Sequence, residues 1–430
     1  MAISAVVHHR MWGENSMLHC QIVRHDQALL IDVDGITLAP SVYVTYHAAA
    51  GRYRAFRQAG IRIFSLPVYM GDRGINSLSG IRPFRPGAWK AEQVYDFSAA
   101  EEDFVRLMTA VPDALILPRV YLDVPNWWEN NHPQELSRDY HGTAVRQSFA
   151  SRIWRDACRQ ILEAFYAWLA TTGLLDHVIG CQVAAGSTEE WFWHQTWPGQ
   201  LLDYSEVNRQ RYISWLEDKY SADPVKLAAA WHQPTAEFAD IRLPTPLQRD
   251  YAMTPHRRDP VNEQAVIDYY HYHSFIVADA IRELCRTVKI ISDNHHLAGA
   301  FYGYTLELTD PDRGSHALQN LLDDDYIDFL ASPSSYMQAR APGIDWPLMG
   351  PVNTVMAHDK LWFIEADVRT HLTRLLKDSM PFATPDNNAY EQPVWQGPNE
   401  PAGRIGVMAT VFGRVLAAHL AFWWFDMWEI

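Results

Sequence analysis

From residue 42 almost to the last, short β-branched and aromatic runs alternate with stretches that are apolar at every third or fourth position. The first kind of run suits a strand buried on both faces, and the second suits a helix laid over it. The alternation therefore predicts βα units around a parallel sheet. Eight strands are expected, over 42–47, 61–68, 114–122, 178–184, 297–302, 327–333, 360–364 and 421–426. A helix over 52–58 stops at Gly60. A longer one over 148–172, apolar at Ile153, Cys158, Ile161, Phe165 and Leu169, stops at Gly173, and both glycines suit the left-handed cap. Further helices are expected from Ser98 to near Pro112, and over 264–288, 316–322 and 402–419.

Eight such units form an α/β fold of the (β/α)8 TIM barrel type over 41–430, with residues 1–40 as an N-terminal extension packing on the barrel. After strand four the rhythm breaks into a helical, Pro-punctuated insertion, about 192–260, too long for an ordinary βα loop and suited to wall one side of the mouth. The C-terminal end reads as incomplete, because the chain stops at Ile430 with no eighth helix to cover strand eight. Either the segment before Val42 takes that helix's place, or the sequence is part of a longer chain.

Composition narrows the partners. A formal net charge of −15, with Lys and Arg scattered rather than clustered, argues against nucleic acid and against an anionic membrane surface. Cys20, Cys158, Cys181 and Cys285 are too far apart for a CxxC pair and suit a reducing compartment, so no disulfides are expected. Met1 to Arg10 lacks the basic start and apolar core of a leader, and a cytoplasmic location is the expectation. No cofactor is expected: no GxGxxG follows a strand and no GxxxxGK occurs. No metal is expected either, since there is no HExxH and the pair His271 and His273 would face different sides of a helix.

Two carboxylates stand out. Glu190 lies in Gly186-Ser187-Thr188-Glu189-Glu190-Trp191 and Glu365 in Leu361-Trp362-Phe363-Ile364-Glu365-Ala366-Asp367, each soon after an apolar run. A carboxylate that ends a barrel strand is held rigidly at the mouth, and cleavage of a glycosidic bond needs two of them. Taken alone, Glu189-Glu190 reads equally well as acidic residues in the first turn of a surface helix. The compositional outlier is tryptophan, with 17 residues, several placed just after expected strands: Trp127, Trp128, Trp191, Trp193, Trp197, Trp362, Trp423 and Trp424. Tryptophan fills cores, and its flat ring also stacks on the C–H face of a sugar.

The ordered set Pro118-Arg119-Val120-Tyr121-Leu122-Asp123-Val124-Pro125-Asn126-Trp127-Trp128, the turn into Glu190-Trp191, Gly299-Ala300-Phe301-Tyr302-Gly303-Tyr304, the run from Ile327 to Tyr336, and Trp362 to Thr370 resembles the clan A glycoside hydrolases. Family 42 β-galactosidases are the nearest match. The resemblance implies a (β/α)8 barrel, retention of anomeric configuration, an acid/base glutamate after strand four and a nucleophile after strand seven. Carried over, these are Glu190 and Glu365. Members of the clan usually place Asn just before the acid/base residue, where this chain has Glu189. The choice between Glu189 and Glu190 stays open, and Trp191, following Glu190 as in the similar sequences, favours Glu190.

Strand-end polar and aromatic side chains point at a barrel's mouth. Arg119, Asp123, Gln182, Glu189, Trp191, Tyr302, Tyr304, Tyr336, Arg369, Trp424 and His47 are therefore the expected substrate-binding residues, with Asp72 and Arg73 also near. Arg119 and Tyr336 are the expected donors to an ionised Glu365. The function expected is a retaining β-galactosidase acting on an oligosaccharide or aryl glycoside. A β-mannosidase, β-glucosidase or endo-glucanase of the same clan is the alternative, and a non-catalytic carbohydrate-binding barrel is the alternative of another class. Oligomeric state is open, with a homo-oligomer compatible with the resemblance.

Overall fold

The computed structural model describes residues 17–46, 49–73, 81–194, 200–250, 258–336, 344–368, 375–384, 398 and 400–426. Eight parallel strands form the expected barrel: β1 (Ser41–Thr45), β2 (Ile63–Ser65, resuming as Pro67–Tyr69), β3 (Leu115–Ile116, resuming as Arg119–Tyr121), β4 (Gly180–Ala184), β5 (Leu297–Phe301), β6 (Phe329–Pro333), β7 (Leu361–Glu365) and β8 (Ala421–Asp426). Each pairs with the next, and β8 returns to β1 in a register running from Phe422 opposite Ser41 to Asp426 opposite Thr45. Strand three is interrupted at Leu117-Pro118, because proline has no N–H to give the ladder. Arg119 N donates to Leu66 O at 2.8 Å and resumes the pairing.

Helices cover the outside: α1 (Ala50–Gln58), α2 (Ser98–Ala110), α3 (Arg152–Thr172), α4 (Gln264–Ile291), α5 (Leu318–Leu322), α6 (Val352–Ala357) and α7 (Pro401–Ala417). Ser151 caps α3 by accepting from Trp154 N at 3.0 Å, and Gly173 ends it at φ 71°. The short α6 escaped the sequence pattern, as did an antiparallel sheet of Cys20–His25, Ala28–Val33 and Ile36–Leu38.

That antiparallel sheet does not take the place of an eighth helix. Cys20 N donates to His295 O at 2.7 Å, and Arg24 pairs with Asp359 at 2.6 Å. His295 and Asp359 stand just before β5 and β7, so the sheet covers the end of the barrel where the strands begin. Its Leu29 and Ile31 are buried there in the main core. On the outer face of β8, Trp424 lies between Phe56 of α1 and Phe412 of α7, at ring-centroid distances of 6.3 and 5.3 Å.

Residues after β4 include a helix, Glu206–Tyr220, that lies on α4. Tyr272 Oη donates to Asn208 Oδ1 at 2.8 Å. The buried Asp268 of α4 accepts from Lys219 at 2.6 Å, Tyr220 at 2.6 Å and Trp231 at 2.8 Å. Arg249, fully buried, pairs with Asp312 of the loop after β5 at 2.6 Å and lies 4.9 Å from the centre of the Tyr269 ring. A buried guanidinium held by one carboxylate and an aromatic face ties this segment firmly to α4 and the β5 loop.

Because Ile31 packs in the same core as the barrel, Ile31→Ala is expected to lower unfolding free energy by about 2–5 kcal/mol in urea denaturation. A loss below about 0.5 kcal/mol, the size typical of a surface position, would show that the antiparallel sheet is not part of the folded core.

Candidate active site

Alternation along a strand decides which side chains reach the interior. On β7, Phe363 stacks on Trp423 at 5.2 Å and meets Phe329 edge-on at 5.5 Å inside the barrel, so Glu365, two residues on, faces the interior at the strand's end. On β3 the same rule brings in Arg119 and Tyr121, and Gln182 stands opposite Arg119 on β4. Arg119, Tyr121, Gln182, Glu189, Glu190 and Glu365 line one polar cleft together with Tyr46, Thr188 and Phe301. Strands three and seven are four apart in the ring, and Arg119 reaches across to put Nη1 3.6 Å from Glu365 Oε2.

Glu189 and Glu190 ride on a tight turn after β4. Trp191 N returns to Ala185 O at 2.8 Å and Ser187 N to Phe192 O at 2.9 Å. Closing it puts Thr188, Glu189 and Trp191 at φ 54°, 66° and 62°, a left-handed region that non-glycine residues enter at a cost. Gly186, at φ 87°, has no room for a side chain, since a Cβ would meet Phe192 O at 2.4 Å. Asp123 pins this turn. Its Oδ1 accepts from Gly186 N at 3.0 Å and from Gln147 Nε2, and stands 3.5 Å from His194 Nε2. Burial opposes its charge, but His194, Arg146 and the Gly186 N–H hold its pKa down to about 2.

Glu190 sits in the opposite environment. Burial pushes its pKa up to about 8, even though Thr188 Oγ1 and Tyr304 Oη both donate to Oε2 at 2.9 Å. Asp367 raises it further and Arg119 lowers it. Glu189 is also driven well above the usual carboxylate range, by burial first, with Arg119 opposing and Asp123 and Glu190 adding to the rise. Among the described residues lining the cleft, Arg119 is the only cation and faces three carboxyls.

Other expected residues fall elsewhere. Asp123 acts on the turn rather than in the cleft lining. Tyr304 stands behind Glu190. Tyr336 Oη donates to Asp367 Oδ2 at 2.7 Å, two residues beyond Glu365. Trp191 is packed against Phe149 and Trp154, with Nε1 donating to Val183 O at 3.0 Å, so it fills the core and offers no sugar platform. Tyr302 fastens the loop after β5, donating to Gly314 O and accepting from Ala317 N, both at 3.0 Å. Trp424 faces outward by the same alternation that turns Trp423 in, and its Nε1 donates to Ser41 Oγ at 3.0 Å. Trp128, Trp193, Trp362 and Trp423 are likewise buried. Asp72 accepts from Asn126 N at 2.9 Å, and Arg73 pairs with Glu129. His47, Arg369 and Trp197 lie outside the described residues.

Sequence reading missed Tyr46, whose ring lies under the Arg119 guanidinium at 4.9 Å, and Tyr69, stacked on Tyr121 at 4.6 Å. The spacing Arg119, Tyr121, Asp123 was the available signal for Tyr121, since residues two apart share a strand face. Among the described residues no group of three His, Cys, Asp or Glu is placed to hold a metal ion. No helix among them is long and apolar enough to cross a membrane.

A (β/α)8 barrel with a glutamate following β4 and another ending β7 at one polar cleft is the framework of a glycosidase. The family model described as Beta-galactosidase, glycoside hydrolase family 42, matches residues 89–365. The chain belongs to that family. No curated protein matches it. In fold it is similar to the catalytic domain of a β-amylase from Paenibacillus polymyxa, at TM-score 0.61 and 12% identity over 91% of this chain and 93% of that one. It is also similar to the β-galactosidase of Rahnella sp. R3, at TM-score 0.51 and 12% identity over 89% of this chain and 57% of the other. The β-galactosidase of Bacillus circulans sp. alkalophilus matches at TM-score 0.50 and 13% identity, over 90% and 50%. The chain thus spans 50% and 57% of the length of these two galactosidases.

Because the Tyr304 hydroxyl stabilises ionised Glu190, Tyr304→Phe should move the Glu190 titration upward from about 8. Infrared difference spectra of the carboxyl stretch against pH, referenced to Glu190→Gln, would read it. A midpoint that stays put or falls would show that this hydrogen bond does not govern Glu190.

Proposed function

We propose that the protein is a retaining glycoside hydrolase acting on β-galactosides, with Glu365 as nucleophile and Glu190 as acid/base. The observation that carries this is the contrast between two carboxyls lining one cleft. Glu365 stands 3.6 Å from a guanidinium that is always charged, which favours the ionised form a nucleophile needs. Glu190, held up at about 8, carries a proton at neutral pH to give to a leaving oxygen. A carboxyl beside a fixed cation and a second that holds its proton are the arrangement that acid-assisted displacement at an anomeric carbon requires.

In the first step Glu365 attacks the anomeric carbon while Glu190 protonates the departing oxygen, giving a glycosyl ester of Glu365. In the second, Glu190, now ionised, takes a proton from water as the water displaces that ester. Arg119 offsets the charge that Glu365 regains. The choice of galactose comes from the family and from the β-galactosidases similar in fold.

Aryl β-galactosides, β-glucosides and β-mannosides compared by kcat/KM test the sugar, and a preference for either of the latter two would overturn the galactoside assignment. Glu365→Gln should lower kcat by at least about 10⁴-fold. Glu190→Ala should lose about 10²–10⁴-fold on a poor leaving group and recover in azide, with a β-glycosyl azide as product. Full turnover by Glu365→Gln would sink the assignment. For unactivated aryl glycosides kcat should fall as pH rises through about 8, because Glu190 then loses the proton it must donate.

A further inference from the structure

Glu190, read above as the acid/base, leans on the loop that follows β5. Tyr304 Oη donates to Glu190 Oε2 at 2.9 Å, and the Tyr304 ring packs on Phe192 at the end of the Glu190 turn, with ring centres 4.8 Å apart. Further along, the same loop meets the turn again. A Cβ at Gly314 would stand 3.0 Å from Trp193 Nε1, so the Gly314 backbone lies against that indole, which is itself stacked on His273 of α4 at 4.8 Å and 11°. The loop therefore bears on the turn near both of its ends. Among its described residues, one turn of 3₁₀ helix at Pro311–Arg313 is the regular structure, and a loop of this kind takes its position from its anchors.

A firm anchor comes from outside the loop. Arg249 belongs to the segment between β4 and α4, and it is fully buried without lining the cleft. Its Nη2 donates to Asp312 Oδ1 at 2.6 Å and its Nη1 to Leu202 O at 3.0 Å. Tyr270 Oη of α4 donates to the same Asp312 oxygen at 2.7 Å, and His273 Nε2 stands 3.0 Å from Asp312 O. Apolar side chains in place of a buried ion pair often cost no stability, so stability alone does not call for Arg249 here. What the guanidinium fork adds is a fixed place for Asp312, two residues before Gly314.

We propose that Arg249 is a positioning residue for the acid/base: through Asp312 it holds the loop after β5 against the turn, and so sets where Tyr304 meets Glu190. This rests on the reading of Glu190 as proton donor. Arg249 touches neither substrate nor the reacting atoms. Its effect falls on proton donation, because a misplacement of about 1 Å at a reacting group costs rate steeply. Departure of a good leaving group needs no donated proton and is spared.

The test is the leaving-group dependence of kcat/KM over aryl glycosides of the sugar that the wild type prefers, from phenyl to 2,4-dinitrophenyl. Glu190→Ala sets the signature of lost acid assistance, a steep fall confined to poor leaving groups. Arg249→Met and Asp312→Asn should show the same signature in smaller degree, about 10–100-fold on phenyl and less than about 2-fold on dinitrophenyl. Tyr270→Phe leaves the ion pair intact, which secures a folded variant, and should lose about 3–10-fold on phenyl. Lys219→Met loosens the same segment at Asp268 instead, and should lower Tm while keeping the wild-type dependence.

A wild-type dependence in the folded Arg249, Asp312 and Tyr270 variants overturns the proposal, and so does equal steepening in Lys219→Met. Both results leave Glu190 as acid/base. A Glu190→Ala protein without the signature, or a wild type that cleaves no aryl glycoside, overturns the acid/base reading and the role of Arg249 with it.

Discussion

One buried cation governs this cleft. The Arg119 guanidinium crosses the interior of the barrel to Glu365, and burying it would be costly without that carboxylate and the ring faces of Tyr46 and Tyr121, at 4.9 and 5.5 Å. Among the described residues lining the cleft, three carboxyls face one positive charge. A low-dielectric setting disfavours ionising several neighbouring carboxyls at once, and Glu189 and Glu190 are both driven upward. Burial is the largest cause of the rise at Glu190 and at Glu189, and Arg119 opposes it at both.

The fold serves that balance by rigid placement. Glu365 ends a strand whose earlier inward residues are locked among Trp423 and Phe329, so its position is inherited from the barrel's core. Glu189 and Glu190 are held differently, on a turn with three non-glycine residues in left-handed conformation. Such strain persists only where surroundings over-determine it, and here they do: Asp123 holds Gly186 N, the turn's own backbone bonds close it, and Trp191 anchors its far end in the core. Asp123 and Trp191 therefore act through the turn. Through the turn they fix where the Glu190 side chain stands.

Membership of family 42 and the shared fold bear on different parts of this picture. At 12–13% identity the solved galactosidases and the β-amylase domain speak for the barrel alone. What a barrel does is set by the residues at its mouth, because the same framework carries many chemistries. The environments of Glu190 and Glu365 carry the functional reading here.

Hydrophobic periodicity alone determined the eight strands, their order and the main helices, because strands buried on both faces and helices packed over them leave an unambiguous pattern. Gly60 and Gly173 marked helix ends through fixed backbone preferences, whereas the break of strand three at Pro118 emerged only in the structure. Local sequence also offered Glu190 and Glu365, each soon after an apolar run. Only the tertiary structure decided which aromatic residues reach the cleft: Trp191, Tyr302 and Trp424 carry the same strand-end signature as Tyr121, yet turn, loop anchoring and strand parity send them into the core, a loop and the outer face. The approach of Arg119 to Glu365 was expected from their strand-end positions, but the structure set its geometry, Nη1 3.6 Å from Oε2. Contacts of that range depend on ring closure, and local periodicity does not encode which side chains meet across it.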